Sequence, residues 1–593
     1  MRGTKYTYTL FDMFAAIRLF ILLLILPLAA CVALAQPKAA ADEESAPTAD
    51  AADAADVEPS TARLPGQELT EPLLYEMLLA EIALQRGNPA LAAQTYADLA
   101  QRTKDPRIAR RAVEVANFAR TPQFALDAAR VWYEADADSV QALQTLTALL
   151  VSSSKVEEAE PLLAKLLERD GDAAANGFLQ LSRLLAGNPD KEANLRVVRA
   201  LAARHPELPQ AQLAIAQAAL AANDDAAALA GARRAVQLRP DWDAAAIYEA
   251  QVLQRRSPEL AARSLAAFLE RNPKAREARL AYARLLVGER NYAEARVQFE
   301  KLLAAFPDNG DVRFAVGLLA LQLKDYATAE SSLKRLLEMG FRDPEGVRYT
   351  LGQAAEEQKK WQEARKWYGS IERGDQVLPA RLRIANVMAK QGRLEEALAY
   401  LRTLDARGDQ RIQVLIAEAQ LLRDANQNRD AFELLGKALQ GQPEQPELLY
   451  DHALTAEKLE RFDVLESSLR TLMRVKPDYA HAYNALGYSY AERNLRLTEA
   501  RKLIERALEL APEDAYIIDS MGWVLYRMGD LKSAAEHLRR AYLGRPDAEI
   551  GAHLGEVLWQ MGARSEAEQV WQEVLKSHPE NETLQKTLKR LRR

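Results

Sequence analysis

A small residue recurs along this chain at an almost constant spacing, and this spacing constrains the fold more than any other feature. The fourteen intervals between successive positions all lie between 33 and 35 residues. We call these positions the anchors: Ala92, Ala125, Ala159, Asn194, Ala228, Ala261, Ala295, Ala329, Ala364, Ala397, Ala431, Leu465, Ala500, Ala534 and Ala567. A chain of 593 residues with such a period is predicted to be an array of repeats rather than a set of unrelated domains.

Proline gives an independent measure of the same period. Nine of the 25 prolines stand twelve residues after an anchor: Pro206, Pro240, Pro273, Pro307, Pro443, Pro477, Pro512, Pro546 and Pro579. Proline cannot continue the hydrogen-bond ladder of a helix, so each is predicted to follow the end of one. Twelve residues before the anchor the position is also small in most later units, and Gly487 fits if the turn before Ala500 contains one extra residue.

These features resemble the tetratricopeptide (TPR) repeat, a pair of helices with a period of 34 residues. The resemblance implies an all-α fold, a TPR α-solenoid in which about fifteen helix–turn–helix repeats form a superhelix over residues 70–580. Small residues would let the paired helices approach closely, and large side chains one turn on (Tyr96, Phe299, Tyr368 and Trp571) would fill the seams. Residues 581–593 are predicted to form a capping helix.

The amino-terminal segment has the pattern of a secretory leader. A basic flank and an apolar run ending at Leu28-Ala29-Ala30-Cys31 resemble a bacterial lipobox, which implies a signal peptide over 1–30 and lipidation of Cys31. Cleavage after Ala35 would instead give a soluble periplasmic protein, and an uncleaved anchor is a third alternative. Residues 31–69 are acidic and rich in Ala and Pro, and are predicted to be a flexible tether.

Aromatic and polar residues recur on the first helices of the last units. In the helix predicted after residue 514, Ile518, Met521, Gly522 and Leu525 form the packing stripe, so the opposite face is expected to line the inner wall of the array. The predicted partner-binding groove consists of Asn484, Tyr488, Asp519, Trp523, Tyr526, Arg527, Glu556 and Trp559. Aromatic and Arg side chains dominate binding hot spots. The alternative, that Trp523 and Trp559 pack against a neighbouring unit or the cap, stays open.

The composition argues against several other classes of function. The net charge of −6, with Lys and Arg scattered among acids, gives no footprint for nucleic acid. One cysteine excludes an internal disulfide framework, and the six histidines are dispersed. Phosphate-loop, zinc-protease and dinucleotide-binding motifs are absent from the sequence. We therefore expect no enzyme activity, no catalytic residues, no metal and no cofactor.

The layout as a whole resembles a family of proteobacterial outer-membrane TPR lipoproteins, on the lipobox, the acidic tether and the stretch 484–542. The resemblance implies a non-catalytic adaptor that binds and activates a periplasmic carboxyl-terminal processing protease and helps present its substrates, the cell-wall hydrolases. It also implies an outer-membrane location facing the periplasm, with membrane contact through the lipid anchor only. The alternative is a structural scaffold for polysaccharide export or outer-membrane biogenesis. The oligomeric state stays open.

Overall fold

The computed structural model describes Pro65 and residues 68–168 and 173–591. The described residues form 31 helices and no strands, which confirms the all-α TPR solenoid class. They fall into two compact parts, each containing several repeats: the amino-terminal unit, which ends at Ser332, and the carboxy-terminal unit, which begins at Leu333. The predicted signal peptide, Cys31 and most of the tether lie outside the described residues, so they stay predictions.

Thirty of the helices form fifteen helix–turn–helix units. The first helices are α1 (Glu71–Gln85), α3 (Pro106–Phe118), α5 (Val140–Ser152), α7 (Ala173–Leu185), α9 (Pro209–Ala221), α11 (Asp243–Gln254), α13 (Arg276–Gly288), α15 (Gly310–Gln322), α17 (Pro344–Glu357), α19 (Val377–Lys390), α21 (Asp409–Asp424), α23 (Pro446–Lys458), α25 (Ala480–Glu492), α27 (Ala515–Arg527) and α29 (Ala548–Gln560).

Each first helix is followed after a short turn by a second helix. The second helices are α2 (Pro89–Thr103), α4 (Pro122–Ala135), α6 (Val156–Glu168), α8 (Lys191–Ala203), α10 (Asp225–Leu238), α12 (Pro258–Arg271), α14 (Tyr292–Ala305), α16 (Tyr326–Glu338), α18 (Trp361–Gly369), α20 (Leu394–Arg402), α22 (Asn428–Gly441), α24 (Phe462–Val475), α26 (Leu497–Leu510), α28 (Leu531–Gly544) and α30 (Arg564–Ser577). A final helix, α31, spans Glu582–Leu591.

The anchors occupy one structural position throughout the described chain. Every anchor is the fourth residue of a second helix, and every one is buried. The anchors that are not alanine, Asn194 and Leu465, are 5% and 2% exposed. The Nδ2 group of Asn194 donates a hydrogen bond to the carbonyl oxygen of Leu185 at 2.9 Å, so this polar anchor is satisfied by the end of α7. The period read from the sequence is therefore a packing period.

The turns inside the units explain where the second helices begin. Most contain a residue with positive φ five positions before the anchor, including Gly87, Asn223, Gly392 and Gly529. Asx and Ser side chains then cap many second helices; Asp224, for example, accepts a hydrogen bond from the backbone N–H of Ala227 at 2.9 Å. The turn between α25 and α26 spans 493–496, one residue more than its neighbours, which confirms the insertion predicted before Ala500.

The core is a series of local clusters rather than one centre. Within the amino-terminal unit the buried apolar residues group over roughly consecutive stretches, from Ala80 to Ala214, from Leu213 to Leu285 and from Ala283 to Leu319. In the carboxy-terminal unit they group from Ala355 to Leu448 and from Leu449 to Leu584. The seam-filling aromatic residues predicted from the sequence, such as Tyr368 and Trp571, are fully buried. Each repeat is thus stabilised by its neighbours.

A close helix approach gives a first prediction. A methyl group at Gly487 would lie 2.9 Å from the backbone carbonyl oxygen of Ala500 and 2.6 Å from Cγ1 of Ile504, so alanine here forces α25 and α26 apart. We expect Gly487→Ala to lower the free energy of unfolding by about 1–3 kcal/mol, measured by urea denaturation followed by circular dichroism.

The matched control is Gly544→Ala at the end of α28, where an added methyl group meets no atom within 4 Å. There the substitution restricts the unfolded chain and is expected to be neutral or stabilising by up to about 1 kcal/mol. Equal urea midpoints for the two variants would show that close approach at the crossing does not limit stability.

Candidate interaction surfaces

The eight predicted groove residues lie on three successive first helices of the carboxy-terminal unit, α25, α27 and α29. Four are buried (Asn484, Asp519, Trp523 and Glu556) and four are half-buried (Tyr488, Tyr526, Arg527 and Trp559). Ring contacts and hydrogen bonds connect five of them, directly or through His553, and we call this cluster the first-helix face: Tyr488, Asp519, Trp523, Tyr526 and Glu556. Their role in binding a partner stays a prediction.

A buried histidine, His553, lies at the centre of this face. Its Nδ1 is 3.0 Å from Oδ1 of Asp519, and its ring stacks on Trp523 with the centroids 4.2 Å apart and an interplanar angle of 25°. Trp523 in turn donates a hydrogen bond from Nε1 to Oε2 of Glu492 at 2.9 Å. Because only 5% of Trp523 is exposed, its ring packs between helices. The sequence alone does not connect His553 with the groove, since a lone histidine carries no local motif.

Carboxylates around His553 hold it in the protonated form. Burial lowers the pKa of this imidazole, but the charge and hydrogen bond of Asp519, with Glu549 and Glu492, outweigh burial and raise the pKa to about 9. Burial raises the pKa of the Glu549 carboxyl to about 7, against the opposing effect of the His553 cation. The charge of this cluster therefore changes within the range from neutral to mildly alkaline pH.

The final helix, α31, places the cation of Arg590 against the same face. Glu556 is 2% exposed and accepts hydrogen bonds from the Tyr526 hydroxyl at 3.0 Å, from Thr587 at 3.5 Å and from Arg590. On the apolar side of α31, Leu584 is fully buried. Thus α31 contacts α29 through an ion pair and adds a buried apolar residue to the core.

Three of the groove residues, Asn484, Arg527 and Trp559, make few or no strong hydrogen bonds within the described part of the chain. Asn484 is buried, and its Oδ1 has no hydrogen-bond partner within the described part of the chain. Trp559 is half-buried; its ring lies 5.6 Å from that of Trp571, and the Arg564 guanidinium lies 5.0 Å from its centroid. Arg527 donates a weak hydrogen bond to the carbonyl oxygen of Glu492 at 3.4 Å.

The first helix of the amino-terminal unit exposes an apolar stripe that the sequence analysis did not predict. The α1 stripe consists of Leu74, Tyr75, Leu78 and Ile82, which are 45–65% exposed and share one side of the helix. The segment EPLLYEMLLAEIALQ is apolar on nearly all sides, which is the sequence signal for a helix that needs a second packing partner. Contiguous exposed apolar side chains of this size are typical of interaction sites.

Two other kinds of site, a membrane-spanning helix and a metal-binding cluster, are absent from the described residues. Within 68–168 and 173–591 no helix combines the length and apolar character required to cross a bilayer. The same residues contain no group of three or more His, Cys, Asp or Glu side chains arranged to hold a metal ion.

Comparison with known proteins identifies the repeats. The tetratricopeptide repeat family model matches residues 252–309, 280–344, 314–379, 450–515 and 520–582. TPR repeat-containing protein PA4667 of Pseudomonas aeruginosa is 34% identical over 497 residues, which cover 82% of each chain. This chain belongs to the TPR repeat proteins. TPR repeats indicate a role in protein–protein interaction, and the TPR fold is typically non-catalytic.

Solved TPR structures also match this TPR protein, and the two described here have low TM-scores. A thermophilic TPR protein of Thermus thermophilus, TTC0263, is 24% identical, covers 30% of this chain and 97% of its own, and has a TM-score of 0.28. The APC/C hetero-tetramer Cut9–Hcn1 is 16% identical, covers 82% of this chain and 97% of its own, and also has a TM-score of 0.28. The family assignment rests on the sequence matches.

The raised pKa of His553 predicts a pH-dependent stability. Its folded pKa of about 9 lies above the unfolded value of 6.5, so its contribution is complete below pH 6.5 and is lost as pH rises to 9. We expect the melting temperature to fall between pH 7 and 9.5. Because Glu549 titrates nearby, the comparison is best made in a Glu549→Gln background, with and without His553→Gln.

The variant that retains His553 should lose stability over this range, and the double variant should show a flatter profile. If both variants lose melting temperature in parallel from pH 7 to 9.5, then His553 is not the group responsible.

Proposed function

We propose that this TPR protein is a non-catalytic adaptor of the bacterial envelope. In this proposal it binds and activates a periplasmic carboxyl-terminal processing serine protease and helps present cell-wall hydrolases to it. The observation that carries the proposal is the array itself, in which fifteen helix–turn–helix units occupy residues 71–577 apart from the stretch 169–172. Such arrays provide extended binding surfaces, and each unit is fixed by its neighbours.

The accessible parts of the array offer two kinds of contact for protein partners. The α1 stripe provides large apolar side chains at the beginning of the described chain. The half-buried residues Tyr488, Tyr526, Arg527 and Trp559 provide rigid aromatic area with polar atoms, which is the composition of binding hot spots. An adaptor that holds both an enzyme and its substrate requires more than one such surface.

The location is part of the proposal. A diacylglyceryl group on Cys31 would attach two chains to the membrane, and each buried methylene contributes about 0.8 kcal/mol, so the anchor would be stable. Val32 follows the cysteine, without the aspartate that in the lipoprotein family tends to retain such proteins in the inner membrane. We therefore infer an outer-membrane lipoprotein whose TPR array faces the periplasm.

Mass spectrometry of the mature amino terminus tests the anchor. We expect a lipid-modified amino-terminal Cys31, and we expect Cys31→Ser to move the protein from the membrane fraction to the soluble fraction. A mature chain that begins at Gln36 would identify ordinary signal cleavage and would remove the lipid anchor from the proposal.

Affinity capture from detergent-solubilised envelopes tests the partner. We expect a PDZ-containing serine protease to co-purify with the wild-type chain. Recovery of secretion or synthase subunits without that protease would favour the scaffold alternative. Purified protease should also cleave a cell-wall hydrolase faster when the TPR protein is added.

Surface variants locate the interaction within the same experiment. Leu78→Glu places a charge in the α1 stripe at an exposed position, so the free energy of unfolding should change by less than about 0.5 kcal/mol while protease capture falls. Gln94→Glu, an exposed site on α2, introduces the same charge and should leave capture unchanged. Equal capture by both variants would exclude the α1 stripe, and Trp559→Ala would then test the groove.

A further inference from the structure

Two consecutive second helices in the carboxy-terminal unit are shorter than the others. Helices α18 and α20 have nine residues each, whereas the other described second helices have 13 to 15. The same sequence, Arg-Gly-Asp-Gln, follows both shortened helices, at 373–376 before α19 and at 407–410, where its last two residues begin α21. The glycines of these turns, Gly374 and Gly408, have φ of 78° and 54°, which glycine adopts at low cost. These turns replace the last turn of a second helix.

The shortened helices border a cleft of about 460 Å³, formed by α18, α19 and α20. Three of its seven lining residues are cations, Arg365, Lys366 and Arg381, and none is a carboxylate. The remaining wall includes half-buried Tyr400, which adds an apolar surface, whereas Ile384 is only 6% exposed. Because two second helices form most of this cleft, it is separate from the first-helix face that carries the predicted groove.

None of the three cations of the cleft makes an ion-pair contact in the described part of the chain, although the charge of Arg365 acts on the carboxylate of Glu396 outside the lining. The Nε group of Arg365 is buried without a hydrogen-bond partner, which is an unfavourable state for a guanidinium. The guanidinium of Arg381 donates hydrogen bonds to the carbonyl oxygens of Gly369 at 3.4 Å and Ile371 at 3.3 Å, which fix its position but do not neutralise it. The nearby carboxylate of Glu396 is engaged by Arg393. The residues that line the cleft therefore carry a net positive charge, which Glu396 balances only in part.

We propose that this cleft binds an acidic segment of a protein partner, with Arg365, Lys366 and Arg381 receiving its carboxylates. Charge-assisted hydrogen bonds between guanidinium and carboxylate are among the strongest polar contacts in proteins. The half-buried ring of Tyr400 would pack against the methylene groups of Asp and Glu, whereas an inorganic anion would use the cations alone. This inference rests on the proposed function as a protein-binding adaptor and assigns one of its contact sites.

The test uses the full mature chain and a fluorescein-labelled polyglutamate peptide with an amidated carboxyl terminus, measured by fluorescence anisotropy at physiological ionic strength. Lys366 is exposed and has no ion-pair partner in the described part of the chain, so Lys366→Glu should fold normally and bind the peptide about tenfold more weakly. The matched control is Lys437→Glu, which makes the same change of charge at an exposed position of α22 and should retain wild-type affinity. Arg365→Gln should also weaken binding.

Three outcomes would overturn the proposal. These are no binding of polyglutamate by the wild-type chain, equal losses in Lys366→Glu and Lys437→Glu, and displacement of the peptide by inorganic phosphate at equimolar concentration, which would identify a small-oxyanion site. The assay uses purified protein, so its result is independent of protease capture from envelopes. Failure of capture with intact peptide binding would overturn the proposed function and leave this site in place.

Discussion

The fold depends on one contact that is repeated along the chain, the close approach of a small residue on a second helix to a small residue on the first helix beside it. At Gly522 an added methyl group would lie 3.1 Å from the carbonyl oxygen of Ala534, so the two backbones are nearly in contact. The crossing fixes the geometry of one unit and leaves its outer side apolar. The next repeat must cover that apolar side, so a single pair of helices is stable only within the array.

Charged pairs between successive first helices add a second level of order in the carboxy-terminal unit. Glu356 of α17 pairs with Arg383 of α19 at 2.9 Å, Asp451 of α23 with Arg423 of α21, and Asp519 of α27 with His553 of α29. Glu356, Asp451 and Asp519 are buried, so breaking one of these pairs leaves an uncompensated charge, which costs about 3–5 kcal/mol. We infer that these pairs set the register between neighbouring units, since apolar contacts alone tolerate sliding.

The sequence predicts the fold from spacing but does not predict the details that depend on contacts between units. The anchors and prolines are sufficient to predict the number of repeats and the start of each second helix, because small anchors and helix-ending prolines are local steric requirements. The sequence left open whether Trp523 packs against a neighbouring unit, because its burial depends on His553, thirty residues away on another helix. The sequence did not predict the cleft either. The repeated Arg-Gly-Asp-Gln at 373–376 and 407–410 does indicate that two repeats differ from the others.

The pairing on the first helices also bears on where a partner can bind. Asp519 and Glu556 already use their carboxylates on His553 and Arg590, so a ligand at these positions would first have to break buried ion pairs. The free energy required would reduce affinity by several orders of magnitude. Half-buried Trp559, the unpaired acceptor of Asn484 and the cations at α18 and α19 carry no such cost. A partner of the carboxy-terminal unit is therefore expected to bind at polar groups that have no partner in the protein. It is expected to bind less well at carboxylates that already form ion pairs between neighbouring repeats.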